Sequence, residues 1–240
     1  MIQVCVNGSR GTGDSAAVPM SPAAMAGSAA GAVAAGAAEV HVHPKSPCGD
    51  DTLSPRAVAA VLTAVRGAVD VPVGVTTGAW AEPEPRRRVE RVRSWTVLPD
   101  LASVNWHEPG AEEVAAVLLE RGVGVEAGLW SGTDGVRRFL ASSLAPRVSR
   151  VLAEVTDPDP VTAGDTARAL LAEVGDAHGL PVLLHGEDGG AWPVLRLALR
   201  RGLDTRVGLE DTLLLPDGRP ADSNARLVAE ACALRDATKR

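Results

Sequence analysis

The chain has 240 residues, 45% hydrophobic and 22% charged, which is the balance of a globular protein, and its length is ordinary for a single α/β barrel. Its formal net charge of -6 gives it no general attraction to nucleic acid, and its basic residues form no patch interleaved with aromatics. No stretch supplies 18 charge-free apolar residues of spanning character, so neither nucleic acid nor a membrane is expected as a partner.

Short runs rich in Val, Ile and Leu read as strands, beginning with residues 2–7. The start, MIQVCVNGSRG, meets glycine and charge too early for a secretory leader. Residues 22–38 are mostly Ala and Gly, and Ser21-Pro22 places a cap residue ahead of a proline at the first helical turn. This segment reads as a helix packed closely on a sheet. The second strand is 39–43. Ser54-Pro55 repeats the cap, and 56–69 carries apolar residues at helical spacing. The third strand is 71–76. The charged, proline-interrupted span 80–98 is expected to be helical only in part. Its Arg86, Arg87, Arg88, Arg91 and Arg93 read as a solvated helix face, with binding of an anionic partner such as a phosphorylated cofactor as the alternative. The fourth strand, 101–105, is followed by a helix over 112–121, introduced by Pro109 and ended by Gly122. Strands over 124–127 and 148–154, a helix over 162–178, a strand over 181–185, a helix over 192–201 and a strand over 205–208 complete the series.

The runs are near-continuously apolar, which suits parallel strands covered on both faces. Eight strand–helix units predict an α/β fold, a (β/α)₈ TIM barrel forming one catalytic domain over 1–240. A doubly wound open sheet is the alternative. No GxGxxG follows the first strand and no GxxxxGK[ST] occurs, while Gly11 and Gly13 alone say little. The three cysteines, Cys5, Cys48 and Cys232, are odd in number and widely spaced, which argues against a disulfide framework and for a reducing, cytoplasmic setting. Cys48, near a histidine pair, is either a free thiol or a ligand.

That pair is the main chemical signal. In His41-Val42-His43, residues two apart on a strand point to one side, so both imidazoles can face the barrel axis at its C-terminal rim. Two imidazoles there suit zinc or another divalent transition metal; two rim histidines that only hydrogen-bond are the alternative. Polar residues gather at the same end of the other strands: Asn7 and Arg10, Thr76 and Thr77, Ser103 and Asn105 with His107 and Glu108 beyond, Glu126, Glu154, His185 and Glu187, and Arg206 with Glu210 and Asp211. Polar residues at all eight rims form an active-site mouth.

Several segments resemble the β-keto acid cleavage enzymes, the family of the 3-keto-5-aminohexanoate cleavage enzyme. They are NGS at 7–9, PMSP at 19–22, AGAAEVHVHPKSPCG at 35–49, VTTGAW at 75–80, LASVNWHEPG at 101–110, RGVGVEAGLW at 121–130 and TRVGLEDTLLLPDGRPADSNARLV at 205–228. The resemblance implies a TIM barrel and acyl exchange: a β-keto acid and acetyl-CoA give acetoacetate and a new acyl-CoA. It implies a zinc ion held by His41, His43 and Glu210, with Asp211 as general base and Arg206 keeping it ionised. Thr76 and Ser103 match hydroxyl residues that position the substrate, and Asn105 and Glu126 join them as substrate contacts. The best-known relative has a glutamate where this chain has Arg10. Either Asp14 replaces that acid, or Arg10 binds a carboxylate-bearing substrate. Longer relatives carry an insertion near the sixth strand and a C-terminal extension, and 156–161 is the expected compact substitute for the former. The resemblance also implies a homo-oligomer, commonly a tetramer. Two other functions stay open: a metal-dependent aldolase or hydrolase acting on a keto acid, and a non-catalytic protein that binds a carboxylated metabolite.

Overall fold

The structure, a computed structural model, describes residues 1–238. Eight strands alternate with helices: β1 (Ile2–Cys5), α1 (Pro22–Ala34), β2 (Glu39–Val42), α2 (Pro55–Arg66), β3 (Val73–Thr76), α3 (Pro85–Arg93), β4 (Leu101–Asn105), α4 (Ala111–Glu120), β5 (Gly124–Trp130), α5 (Gly135–Ala141), β6 (Arg150–Val155), α6 (Ala163–Val174), β7 (Val182–Gly186), α7 (Ala191–Arg200), β8 (Thr205–Val207) and α8 (Asn224–Thr238). All pairings are parallel, in the order β7-β6-β5-β4-β3-β2-β1-β8. The ring closes between β7 and β8 through one bridge, Leu183 with Asp204, where the Leu184 N–H donates to the Asp204 carbonyl at 2.9 Å. This is the expected (β/α)₈ barrel. Among the described residues, no helix is long and apolar enough to cross a membrane.

The helices form for local reasons. Ser21 caps α1 by accepting the Ala24 N–H, and Pro22 supplies the preset first-turn φ. The small side chains of α1 let it lie close to its neighbours: a Cβ built on Gly31 would sit 3.5 Å from that of Ala225 in α8. Ser54 stands at the start of α2 but makes no side-chain cap bond. There, burial of Val58, Val61, Leu62 and Val65 at helical spacing holds the helix to the barrel.

Three sequence expectations change. Arg88 is not part of a solvated face. It is 1% exposed, donates to the Pro109 carbonyl and pairs with Glu108, tying α3 to the loop after β4. A helix, α5, and a 3₁₀ turn at Ala145–Arg147 occupy the link between β5 and β6, where no helix was read. The single helix expected over 162–178 ends at Val174, and a separate 3₁₀ turn, Ala177–Gly179, follows with Ala177 and His178 at positive φ.

The strands also alternate more strictly than their composition suggests. Val4, Val40, Val42, Val75, Ala102, Val125, Ala127, Val151, Ala153 and Val207 belong to the buried apolar core beneath the helices. The register sets the opposite parity on the barrel axis: Gln3, Cys5, His41, Ser103, Asn105, Glu126, Arg150, Glu154, His185 and Arg206. The inner row is mostly polar and nearly all buried, with Leu152 and Leu183 among its apolar members. It crosses the barrel, since Gln3 Nε2 reaches Glu126 Oε1 at 3.3 Å and Arg150 pairs with both Glu126 and Glu39. The outer row follows ordinary hydrophobic logic, each buried aliphatic side chain contributing about 1.5–3 kcal/mol. An unpaired ion inside would cost several kcal/mol, so the inner row persists only through mutual pairing.

Replacing Arg150 with Met should therefore leave Glu126 and Glu39 unpaired and cost about 3–5 kcal/mol, measured by urea denaturation. A loss below about 1 kcal/mol would show that the barrel interior tolerates the lone carboxylates.

Candidate metal centre and active-site cavity

His41 and His43 leave β2 on the axial side and meet Glu210, which follows β8. One ligand atom from each lies within 4.8 Å of the other two. The first NGS-like segment builds this arrangement. The Asn7 side chain donates to the His43 carbonyl and accepts the His43 N–H, both at 2.9 Å. Gly8 adopts φ +56, and a Cβ there would fall 2.4 Å from Glu210 Cγ. Only glycine permits both the left-handed backbone and the close approach.

The surrounding groups orient the cluster. His43 Nδ1 lies 2.8 Å from Asp51 Oδ2, leaving Nε2 to face Glu210 Oε1 at 3.6 Å. Asp51 also accepts from Trp80 Nε1 at 2.8 Å and pairs with Lys45, which donates to the Gly8 carbonyl at 2.7 Å. Arg206 donates to Glu210 Oε1 at 2.8 Å and to Asp211 Oδ1 at 3.2 Å. His41 Nδ1 and Glu210 Oε2 are buried without a protein partner. Two imidazoles and one carboxylate, with orphaned donor atoms and a carboxylate-buttressed histidine, fit a divalent transition metal.

The charge states of His41 and Glu210 suit a cation, whereas His43 would give up a proton to bind one. Burial lowers His41 to about 4 against the pull of Glu210, so it stays neutral. For Glu210, burial would raise the carboxyl, but Arg206 and then His43 hold it well below the usual range. Burial also acts against His43, yet Glu210 and the Asp51 hydrogen bond lift it to about 9.

A cavity of about 500 Å³ opens over the cluster, lined by Ser9, Arg10, Asp14, His43, Trp80, Trp130, Glu154, Glu187, Asp188, Arg206 and Glu210. Arg10 lies on this wall, with Nε donating to the Glu210 carbonyl at 3.0 Å and Nη2 meeting Asp188 at 2.5 Å. Asp14 also lines it, but accepts the Gly11 N–H within its own turn. Thr76 and Ser103 are register partners on β3 and β4, both buried. Asn105 closes β4 and donates to Glu108 at 2.9 Å. One expectation moves. Glu126, read as closing its strand at the rim, is the third residue of a longer β5, fully buried and paired with Arg150. Asp211, the expected general base, is 1% exposed, and its carboxylate lies between Arg206 and His185. Cys48 is an exposed free thiol outside the cluster.

A sequence model of the beta-keto acid cleavage enzyme family matches residues 1–240. The chain belongs to the beta-keto acid cleavage enzyme family. No curated protein matches it in sequence. Among solved structures, apo ObcA aligns with a TM-score of 0.70 at 16% identity, covering 90% of this chain and 61% of that one. A ternary complex of ObcA with a C4-CoA adduct and oxalate aligns at 0.66 and 16% identity, covering 93% and 68%. A type I 3-dehydroquinate dehydratase from Clostridium difficile aligns at 0.60 and 13% identity, covering 98% and 92%. At these identities the likeness is one of fold. Family membership and the His41, His43 and Glu210 cluster together support metal-dependent keto-acid chemistry.

Sequence reading did not single out Asp51, Lys45, Trp80 or Trp130. Asp51 lies eight positions beyond His43 in a loop without periodicity. The one available signal is compositional: five Trp beside one Phe and no Tyr make each tryptophan a marked residue. Trp80 stacks on His43 with ring centroids 5.9 Å apart. Glu187 was noted only as following β7. Burial raises its carboxyl to about 7.

Two outcomes follow. Chelator-stripped protein should take up one zinc or cobalt ion per chain, and Asp51→Asn should weaken that uptake roughly 10–100-fold by calorimetry. Unchanged affinity would show that Asp51 does not buttress His43. Glu187 releases its proton near 7 when folded but near its ordinary 4.5 when unfolded, so the folded chain binds more protons in between. Its contribution is present below 4.5 and lost as pH rises through about 7. Glu187→Gln should thus gain melting temperature over wild type at pH 8 relative to pH 4.5, by roughly 2–4 °C per kcal/mol relieved; no pH-dependent gap would contradict this.

Proposed function

We propose that this protein cleaves a β-keto acid by acyl exchange with acetyl-CoA, releasing acetoacetate and a new acyl-CoA. The observation that carries the reading is the His41, His43 and Glu210 cluster with its orphaned donor atoms, placed at the floor of an open cavity in a chain of this family. Three protein ligands leave coordination positions free, and a β-keto acid presents a keto oxygen and a carboxylate oxygen spaced to fill two of them. When bound, a zinc ion supplies Lewis acidity that polarises the keto group. The ObcA complex, which contains a C4-CoA adduct, supports a CoA thioester as the second substrate on this fold.

The chain's own residues supply the rest. Thr76 Oγ1 accepts the Gly78 N–H at 3.1 Å, which leaves its hydroxyl proton to donate toward substrate. Ser103, its neighbour across the sheet, offers a second hydroxyl at the same level. Asn105 stands beside them at the end of β4. Proton removal from C2 falls to the Arg206–Asp211 side of the site, where Arg206 Nη2 lies 3.1 Å from Asp211 Oδ1. Arg10 faces the far end of the substrate from the cavity wall, fixed by Asp188 and the Glu210 carbonyl.

The test is mass spectrometry of zinc-loaded protein with acetyl-CoA and a panel of neutral, cationic and anionic β-keto acids. New acyl-CoA plus acetoacetate, lost in His41→Ala, supports the exchange. Preference for an anionic member, lost in Arg10→Ala, supports Arg10 as the substrate contact. Metal-dependent keto acid consumption without any new thioester would replace this reading with an aldolase or hydrolase.

A further inference from the structure

Beside the active-site cavity lies a second one of about 580 Å³, within the size range of a ligand pocket. Lys45 stands in the wall between them. It lines the second cavity, while its ammonium donates to the Gly8 carbonyl at 2.7 Å and pairs with Asp51, the residue that holds His43 Nδ1. Lys45 is 9% exposed, and an ammonium carries three N–H bonds, so one of them has no acceptor among the described residues. Above this wall the crest is low. Cβ atoms built on Gly11, next to Arg10, and on Gly49 would lie 3.9 and 3.5 Å from Met20 Cε. Two glycines and one thioether therefore separate the cavities there.

The second cavity has the opposite charge of the first. Five carboxylates line the active-site cavity: Asp14, Glu154, Glu187, Asp188 and Glu210. Among the described residues no carboxylate lines the second, although the chain's net charge is -6. Its cations are Lys45 and Arg56, and Arg56 is exposed with no ion-pair partner among the described residues. Arg56 also opens α2, where the N–H groups of Arg56 and Ala57 have no acceptor within the helix and Ser54 makes no side-chain cap bond. Thr52 and Ser54 add hydroxyls to this end, and Met20, Pro22, Pro47 and Ala60 supply an apolar wall. The arginines of α3 offer no such place. Glu84 caps that helix by accepting the Arg86 and Arg87 N–H groups, Arg91 faces Glu82 at 3.8 Å, and Glu82 and Glu90 line the adjoining hollow.

We infer that the second cavity binds the nucleotide end of the CoA thioester, with its phosphates on Lys45, Arg56 and the start of α2 and its adenine against Met20, Pro22 and Pro47. The inference rests on the exchange reading above and locates its second substrate. The thioester reaches the metal cluster from the first cavity, and the narrow pantetheine arm crosses the crest at Gly11 and Gly49. A guanidinium fork and free backbone amides suit phosphate oxygens, and the apolar wall suits a purine face.

The experiment compares zinc-loaded wild type, Arg56→Glu, Arg56→Ala and Arg87→Glu at saturating keto acid, with acetyl-CoA and with S-acetylpantetheine, which lacks the nucleotide. Adenosine 3′,5′-bisphosphate binding is measured on each protein by calorimetry. Arg56→Glu should raise KM for acetyl-CoA about tenfold or more, the scale of a lost charge-assisted contact, with kcat within about twofold. The rise should shrink to about twofold or less with S-acetylpantetheine. Bisphosphate should bind wild type and be lost in Arg56→Glu. Should Arg56→Glu fail to fold, Arg56→Ala must still raise KM for acetyl-CoA at least about threefold. A KM for acetyl-CoA that is unmoved in folded Arg56→Glu, or that rises in Arg87→Glu instead, overturns the inference and leaves the exchange reading standing. If wild type makes no new thioester, the exchange reading fails and calorimetry decides: bisphosphate binding that Arg56→Glu abolishes supports a nucleotide pocket here, and no binding to wild type overturns it.

Discussion

The structure depends on a lattice of opposite charges packed along the barrel axis. Two arginines anchor it at two depths. Arg150 ties Glu126 and Glu39 near the N-terminal ends of the strands, and Arg206 ties Glu210 and Asp211 near the C-terminal ends. Each carboxylate would be costly alone in so enclosed a place. Together they make a polar axis inside an apolar sleeve. The upper knot is where the candidate metal ligands emerge, so the interaction that stabilises the barrel also fixes the electrostatics of the site.

This division explains what the sequence disclosed. The outer face of each strand is the part that composition reports: Val40 and Val42, Val73 and Val75, Val151 and Ala153 mark strands, and the strands mark the barrel. His41 and His43 were legible because period-two geometry needs no knowledge of any other strand. Glu210 and Asp211 became legible through the family resemblance, since no local pattern joins residues on β2 to a loop after β8. The apparent absence of alternation in the strands had a plain cause. Gln3, Cys5, Gly74 and Gly128 on the inner row carry no charge, and they blur a polar row that the register makes clear.

What stayed hidden was decided by long-range contact. Glu126 looked like a rim residue because Gly128 resembled the end of its strand; in the fold, that glycine makes room for Asn105 and Glu154, and β5 continues to Trp130. Arg88 looked solvated because it sits in a run of arginines, but the loop after β4 offers it a carbonyl and a carboxylate. Asp51 and Trp80 come together over His43 from separate loops. No spacing rule connects them, because the barrel alone brings those loops to the same rim.

The closure of the ring at a single bridge between β7 and β8 has its own consequence. The strand carrying His185 and the strand carrying Arg206 share little backbone hydrogen bonding along that seam, while every other neighbouring pair is joined by a longer ladder. Side-chain attraction from His185 to Asp211 and the Asp188 N–H bond to the Asp211 carbonyl at 2.7 Å do much of the joining there. The seam is therefore the natural place for local opening, with amide protons along it exchanging ahead of those in β2–β5. Any ligand that bridges the two strands fastens the barrel as it binds, so occupancy of the site and rigidity of the ring rise together.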